Sequence, residues 1–433
     1  MPFFIKQLTG VRFIAAAWVV LYHYQPAIAA AGLLFPLVHE FLRVGSLGVD
    51  LFFALSGFIL THTYLTKIGP KFTWKGAGNF LWLRLARIYP AHFVMLNIAG
   101  LAVLAAAIVG KSDAADRSWL NPWAYIKQLL LIQEWGANPD RGWNFVAWSL
   151  SMEWLAYIIF TLLVLVLWRV RDRLPVWALA LIAFICLLPL LYIGLTRTDD
   201  PFLTTNWGSS IRVLTEFWSG AFAYLVVRRL YGSKQSAGSV ETATAGTQAV
   251  AAAAGQTVNS SSTADNQTAE NGGPSRNVVR TAGILTWVIP IAIVVISIVL
   301  GNIPALQWEN LPNEAPRAYI IIVPFLVVWI AALALAKNGI VSFLSTERLL
   351  LGGFISYSLY LVHLVWYGLW RTAMSAVGIT GGPLYWVGLV GLIVMAIVFA
   401  WLLWRFVEEP AREWMRSKIG AKKKPIEESG TTV

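Results

Sequence analysis

Residues 11–31 read VRFIAAAWVVLYHYQPAIAAA, and this stretch decides the fold class. Crossing the hydrocarbon core of a bilayer takes ~20 mostly apolar residues, and this run is long enough. It nevertheless carries two ionisable residues, Arg12 and His23, eleven positions apart. At ~100° per residue the two differ by only ~20° around a helix and lie ~16 Å apart along its axis. One face of a first membrane span therefore shows a cation at one edge and an imidazole near mid-bilayer. Ionisable residues inside spans are costly and mark functional candidates. A neutral imidazole at that depth can take a proton from a hydroxyl or attack an acyl group itself. A snorkelling arginine and a histidine that only bonds a neighbouring helix are the plainer alternative.

Outward from this stretch the same pattern repeats. The 433 residues are 58% hydrophobic and 13% charged, about half the charge share of a soluble domain. That excludes two soluble domains, the reading length alone would favour. About ten spans are expected, near 11–31, 46–66, 88–110, 146–168, 175–195, 211–231, 280–301, 318–337, 350–374 and 384–406. The fold class is thus an all-α polytopic membrane protein with no separate soluble domain. The apolar start lacks an A-x-A-like cleavage site and reads as a retained span. Trp123–Trp135 (WAYIKQLLLIQEW) is too short and polar to cross and reads as an interfacial helix. The 22 tryptophans suit membrane–water interfaces. A lone cysteine, Cys186, excludes a disulfide framework and any multi-cysteine metal site, and no metal site is expected.

The net charge of +11 is read as cytoplasmic loop charge rather than nucleic-acid binding. With the N-terminus inside, 23 Lys and Arg fall in inside segments and nine outside, so both termini are expected in the cytoplasm of a cell (inner or plasma) membrane protein. Residues 232–277 are rich in Ala, Gly, Ser, Thr and Gln and almost free of large apolar side chains. They cannot bury a core and read as a disordered cytoplasmic linker. The organisation is then spans one to six with the chemical motifs in 1–231, the linker in 232–277, spans seven to ten in 278–415 and a cytoplasmic tail in 416–433.

Three further intramembrane residues join Arg12 and His23. Asp50 lies in GVDLFFALSGF (Gly48–Phe58), Glu153 in WSLSMEW (Trp148–Trp154) and His363 in ISYSLYLVH (Ile355–His363). A carboxylate there can hold an imidazole tautomer, accept from a sugar hydroxyl or simply tie two helices together. Glu216 and His62 are weaker candidates, and His62 and His39 read as structural. Ser56 is not in a G-x-S-x-G elbow and is not read as a nucleophile. Arg84 and Arg87, in RLARIYP (Arg84–Pro90), are three apart on one helical face at the approach to span three. Two guanidiniums so placed can clamp phosphates, or simply be positive-inside charge. The longest outer loop, Lys111 to Phe145, carries Trp119, Trp123, Trp135 and Trp143, suited to sugar stacking or to an interfacial belt.

Taken together these segments resemble the acyltransferase-3 family of integral membrane acyltransferases. Arg12 and His23 match its R-x10-H pattern and GVDLFFALSGFIL (Gly48–Leu60) its second-span signature. RLARIYP matches its R-x-x-R-I-x-P stretch. WSLSMEW matches its W-S-L-x-x-E segment, ISYSLYLVH its S-Y-S-x-Y-L-x-H segment, and VEEPAREW (Val407–Trp414) its closing E-x-P-x-R. The resemblance covers nearly the whole chain apart from the linker.

The resemblance implies transfer of an acyl group, often acetyl, from cytoplasmic acyl-CoA to a hydroxyl of an envelope glycan, glycolipid or small molecule. No permanently bound cofactor is implied; acyl-CoA is a co-substrate. His23 would be the catalytic histidine with Arg12 paired to it, and Arg84 and Arg87 would contact the CoA phosphates. Glu153 and His363 would line the catalytic site; Asp50 and Trp148 are candidate substrate-binding residues. Two departures stand out. Trp82 and Leu83 occupy positions where many relatives carry a further arginine, which implies a leaner clamp. The esterase-like C-terminal domain of some relatives has no counterpart before Val433. A transporter or flippase of an envelope lipid or small molecule is the competing class, although Pro26 and Pro189 do not form the matched helix breaks of repeat-built transporters. A non-catalytic sensor using the linker for docking is a third.

Overall fold

The computed structural model describes residues 4–33, 35–108, 121–136, 142–196, 207–252, 273–303 and 317–420. The ordered elements among them are helical, with no strand. In chain order they are α1 (Lys6–His23), α2 (Gln25–Ala30), α3 (Pro36–Arg43), α4 (Leu47–Ile68), α5 (Trp74–Ile108), α6 (Pro122–Leu129), α7 (Trp148–Val170) and α8 (Val176–Thr196). Then follow α9 (Gly208–Ala252), α10 (Arg276–Gly301), α11 (Val323–Leu335), α12 (Ile340–Leu344), α13 (Glu347–Ala376), α14 (Gly382–Leu403) and α15 (Glu409–Ser417).

Seven helices among the described residues are long and apolar enough to cross a bilayer, and Tyr319–Leu335 is a shorter apolar one. The other two of the ten expected spans fall on α1 and on the first half of α9. The chain is thus an all-α polytopic membrane protein. Its spans differ in burial: the apolar window of Pro36–Ile68 is 78% buried, whereas those around α8, α10 and α14 are 28% buried. The first therefore sits at the centre of the bundle, and the others offer Ile, Leu and Val side chains to lipid.

Lipid is as apolar as a leucine, so helices in a membrane associate through close packing and polar contacts rather than through hydrophobic transfer. The central pair uses glycine for this. A Cβ at Gly57 of α4 would lie 1.8 Å from the Phe217 carbonyl oxygen of α9, and one at Gly220 of α9 would lie 2.0 Å from the Ala54 oxygen of α4. Neither backbone can yield without separating the helices. Gly57→Ala and Gly220→Ala are each expected to cost about 1–3 kcal/mol by overpacking. Gly78→Ala on α5 faces open space and should be neutral or slightly stabilising. Thermal unfolding in detergent, followed by tryptophan fluorescence, checks the contrast.

Three local expectations are corrected. The first span is not one helix over 11–31, because α1 ends at His23 and α2 restarts with Pro26 in its first turn. Proline lacks an N–H and disfavours helical geometry in the residue before it, which explains the break. RLARIYP is not an approach to a span but lies inside α5, which begins at Trp74 and runs through Pro90. The interfacial helix stops at Leu129, capped at its start by the Asn121 side chain. Beyond it the chain folds back on the bundle, and the Trp135 indole donates to the Ser151 carbonyl at 3.0 Å. Of the expected linker 232–277, residues 253–272 lie outside the described residues, as do 421–433 of the tail, 109–110 at the end of the expected third span, and 111–120 and 137–141 of the Trp-rich loop.

Candidate active site

α1 and α13 run side by side in the same direction because glycine lets them. A Cβ at Gly353 would lie 2.1 Å from the Thr9 carbonyl oxygen, and one at Gly352 would lie 2.5 Å from the Phe13 ring. Further along the same two helices His23 meets His363. The His363 Nε2 lies 3.1 Å from the His23 Nδ1, with ring centroids 4.9 Å apart. His363 is fully buried; His23 is half-buried and is the last residue of its helix. Tyr24, in the break after α1, donates its hydroxyl to the His363 carbonyl at 3.1 Å, which fixes the two helices at this level.

The hydrogen bonds set the tautomers of two neutral rings. The His363 Nδ1 is 2.7 Å from the Tyr360 carbonyl, which only accepts, so that nitrogen carries hydrogen. The His363 Nε2 is then bare and must accept from His23. The His23 Nδ1–H points to it and to the Val19 carbonyl at 3.0 Å. What remains is the His23 Nε2, bare and free to take a proton. His363 thus does for His23 what a carboxylate does in other histidine bases: it holds the tautomer and the ring orientation.

A cavity enclosing about 500 Å³, counting its mouth, lies toward the N-terminal end of α1. Its polar lining includes Arg12, Ser56, Arg84, Arg87, Glu153 and Tyr157. Arg12 and Arg84 form no ion pair among the described residues. Arg12 stands over the Phe52 ring at 5.9 Å, and Arg84 donates to the Tyr64 hydroxyl at 3.2 Å. Arg87 is paired, with its Nη1 3.1 Å from the Glu408 carboxylate. Glu153 is held by two donors on one oxygen: Ser56 Oγ at 3.0 Å and the hydroxyl of Tyr157 one turn further along α7. The arrangement is a cationic basin with one oriented carboxylate. It suits a polyanion. His23 lies ~16 Å beyond Arg12 along α1.

The structure therefore brings together Arg12, Arg84, Arg87 and Glu153 in one cavity, and His23 with His363 deeper along α1. It does not bring Asp50 or Trp148 to the cavity. Asp50 is fully buried and bidentate with Arg212 (2.9 and 2.5 Å), and the Arg212 guanidinium also stands 5.7 Å from the Trp148 ring. Ser56, read as no nucleophile, orients Glu153 instead. Sequence reasoning missed Tyr157, Tyr360, Glu408 and Arg212. Tyr157 follows Glu153 by four residues and Tyr360 precedes His363 by three, helical spacings that were available to find them; Glu408 and Arg212 act across helices far apart in sequence.

A multi-pass helical membrane protein with a histidine pair between two helices and an arginine-lined cavity is the class that fold and site define. Residues 5–405 match the acyltransferase-3 family, described as an acyltransferase domain, and the chain belongs to that family. It is 30% identical over 225 residues to Acyltransferase MdmB of Streptomyces mycarofaciens, covering 49% of this chain and 51% of that protein. It is 28% identical over 195 residues to a protein of Staphylococcus aureus (strain COL) whose name includes O-acetyltransferase, covering 42% of this chain and 29% of the relative. Nodulation protein 10 of Rhizobium leguminosarum bv. viciae is 26% identical over 202 residues, covering 44% and 50%. The chain spans about half the length, or less, of these curated relatives. No solved structure matches it.

Proposed function

We propose that this protein is a membrane-embedded O-acyltransferase that moves an acyl group, most simply acetyl, from cytoplasmic acyl-CoA to a hydroxyl of an envelope glycan, glycolipid or small molecule. The observation that carries the reading is the bare His23 Nε2, fixed by His363 and on the same helix as Arg12, which lines a cavity together with Arg84; neither arginine forms an ion pair among the described residues. Arg12, Arg84 and Arg87 take the donor phosphates on the cytoplasmic side, with both termini inside. The pantetheine arm covers the ~16 Å rise to His23. The acceptor hydroxyl arrives from the other side. Its proton passes to the His23 Nε2 as its oxygen bonds the acyl carbon. The carbon–sulfur bond then breaks, and the imidazolium returns the proton to the leaving CoA sulfur. If His23 instead carries the acyl group briefly, the same Nε2 is the attacking atom.

The test is CoA thiol release by the purified protein in the presence of envelope extract, with labelled acetyl-CoA followed into the extract. Label transferred in step with thiol release supports the reading. No donor-dependent release and no binding of acyl-CoA by calorimetry would sink it. Arg84→Ala removes a cation with no ion pair among the described residues, and with it charge-assisted hydrogen bonds of about 1.5–3 kcal/mol. It is expected to raise the donor KM about 10- to 100-fold with kcat little changed, measured from donor saturation curves.

A further inference from the structure

The closing motif VEEPAREW has no place in the reaction as described, yet its first carboxylate is fully buried. α14 does not simply continue into α15. Residues Trp404–Glu408 form a π-helical turn, with Pro410 following in the first turn of α15. Such turns insert an extra residue into a helix and recur at functional sites. Here the turn ends on Glu408, between two other helices. The Ser358 hydroxyl of α13 donates to Glu408 Oε2 at 2.9 Å, and Arg87 of α5 lies 3.1 Å from Oε1. Arg412, one turn further on, is 4.0 Å from Oε1 and is itself paired with Glu409. Beside this contact the Tyr357 hydroxyl of α13 donates to the Ile88 carbonyl of α5 at 2.5 Å.

Two details give Glu408 more than a packing role. The Arg87 Nη1 lies 3.1 Å from Oε1 without the geometry of a hydrogen bond, so Arg87 is held by charge and meets Glu408 through one edge of its fork. And Ser358 lies on the same helix as His363, so the carboxylate joins the cationic cavity to the element that fixes His23. We propose that Glu408 is the positioning carboxylate that holds the Arg87 guanidinium in the donor cavity and ties it, through Ser358, to the helix bearing His363. This rests on the acyl-CoA reading of that cavity. Burying a lone arginine is costly without a partner. Glu408 removes that cost and leaves the free edge of the fork to a phosphate.

The experiment is a double-mutant cycle on the full-length protein, reading KM for acetyl-CoA and kcat separately. Arg87→Ala and Glu408→Ala are each expected to raise the donor KM about tenfold, about 1.4 kcal/mol, with kcat within about threefold. Together they should raise it no further than either alone. Glu408→Gln keeps an oxygen for Ser358 but removes the charge that holds Arg87, so it should raise the donor KM about as much as Glu408→Ala; Ser358→Ala should give an intermediate rise. If Glu408→Ala multiplies its effect onto Arg87→Ala, or if Glu408→Gln keeps the wild-type donor KM, the positioning role is overturned. Should Glu408→Ala fail to fold, Glu408→Gln and Ser358→Ala still decide, since normal donor KM in Ser358→Ala removes the link to α13. Loss of donor saturation in the wild type would instead condemn the acyl-CoA reading itself.

Discussion

His23→Ala is expected to lower kcat about 10²–10⁴-fold, the range a positioned general acid–base contributes. The donor KM should stay close to wild type, because Arg12 lies ~16 Å away along α1 and the cavity that it lines with Arg84 and Arg87 does not include His23. The split matters. A misfolded variant would lose both, whereas loss of the proton acceptor alone leaves the cationic cavity intact. His363 sharpens the test. In His363→Gln an amide oxygen can take over from the Nε2 as acceptor for the His23 Nδ1–H, so this variant should retain much of the rate. In His363→Leu only the Val19 carbonyl is left to accept from the His23 Nδ1–H, the ring loses its second anchor, and the rate should fall well below that of His363→Gln. Unchanged kcat in His23→Ala, measured as acyl transfer together with CoA release, would remove His23 from the chemistry. Equal damage from His363→Gln and His363→Leu would remove the tautomer argument while leaving His23 in place.

The fold class was legible because hydropathy is a local property: runs of ~20 apolar residues announce helices wherever the chain later places them. The face shared by Arg12 and His23 was legible for a similar reason, since one helical period relates them. What the sequence could not show is where that helix ends and what the imidazole meets. Pro26 signalled a break, but a proline is also tolerated within membrane helices, as Pro90 is within α5. His23 and His363 are 340 residues apart, and their contact depends on Gly352 and Gly353 admitting α1. Both histidines were candidates, but their pairing was not predictable. Glu408 was harder still. Its place depends on a π-helical turn that has no periodic signature. Asp50 was read as a substrate-binding candidate, with a helix tie as the plainer alternative; its partner Arg212 is 162 residues away and no local spacing relates the two.

That partner carries the largest expected effect on stability. Arg212→Met is expected to cost at least 3–5 kcal/mol, the range for breaking a buried ion pair by removing one member. Arg212 crosses from α9 to α4, the two central helices. Its fork meets both oxygens of Asp50, and Glu216 lies one turn along α9, 4.0 Å from its Nε. All three side chains are buried, so water cannot take over for a lost partner. Methionine fills the volume but leaves two carboxyls facing each other without a cation. Asp50→Asn should cost less, because Glu216 remains to neutralise Arg212. Glu216→Gln should cost least: neither of its oxygens has a hydrogen-bond donor, and the bidentate pair survives. The order Arg212→Met, Asp50→Asn, Glu216→Gln follows from counting which charges are left unmatched, and thermal unfolding in detergent reads it directly. Equal losses in all three would mean that the cluster acts through packing alone. The cluster does not line the cavity, so whatever fraction of each variant folds should keep the wild-type donor KM. A changed KM in folded Asp50→Asn would instead place Asp50 back among the residues that govern substrate binding.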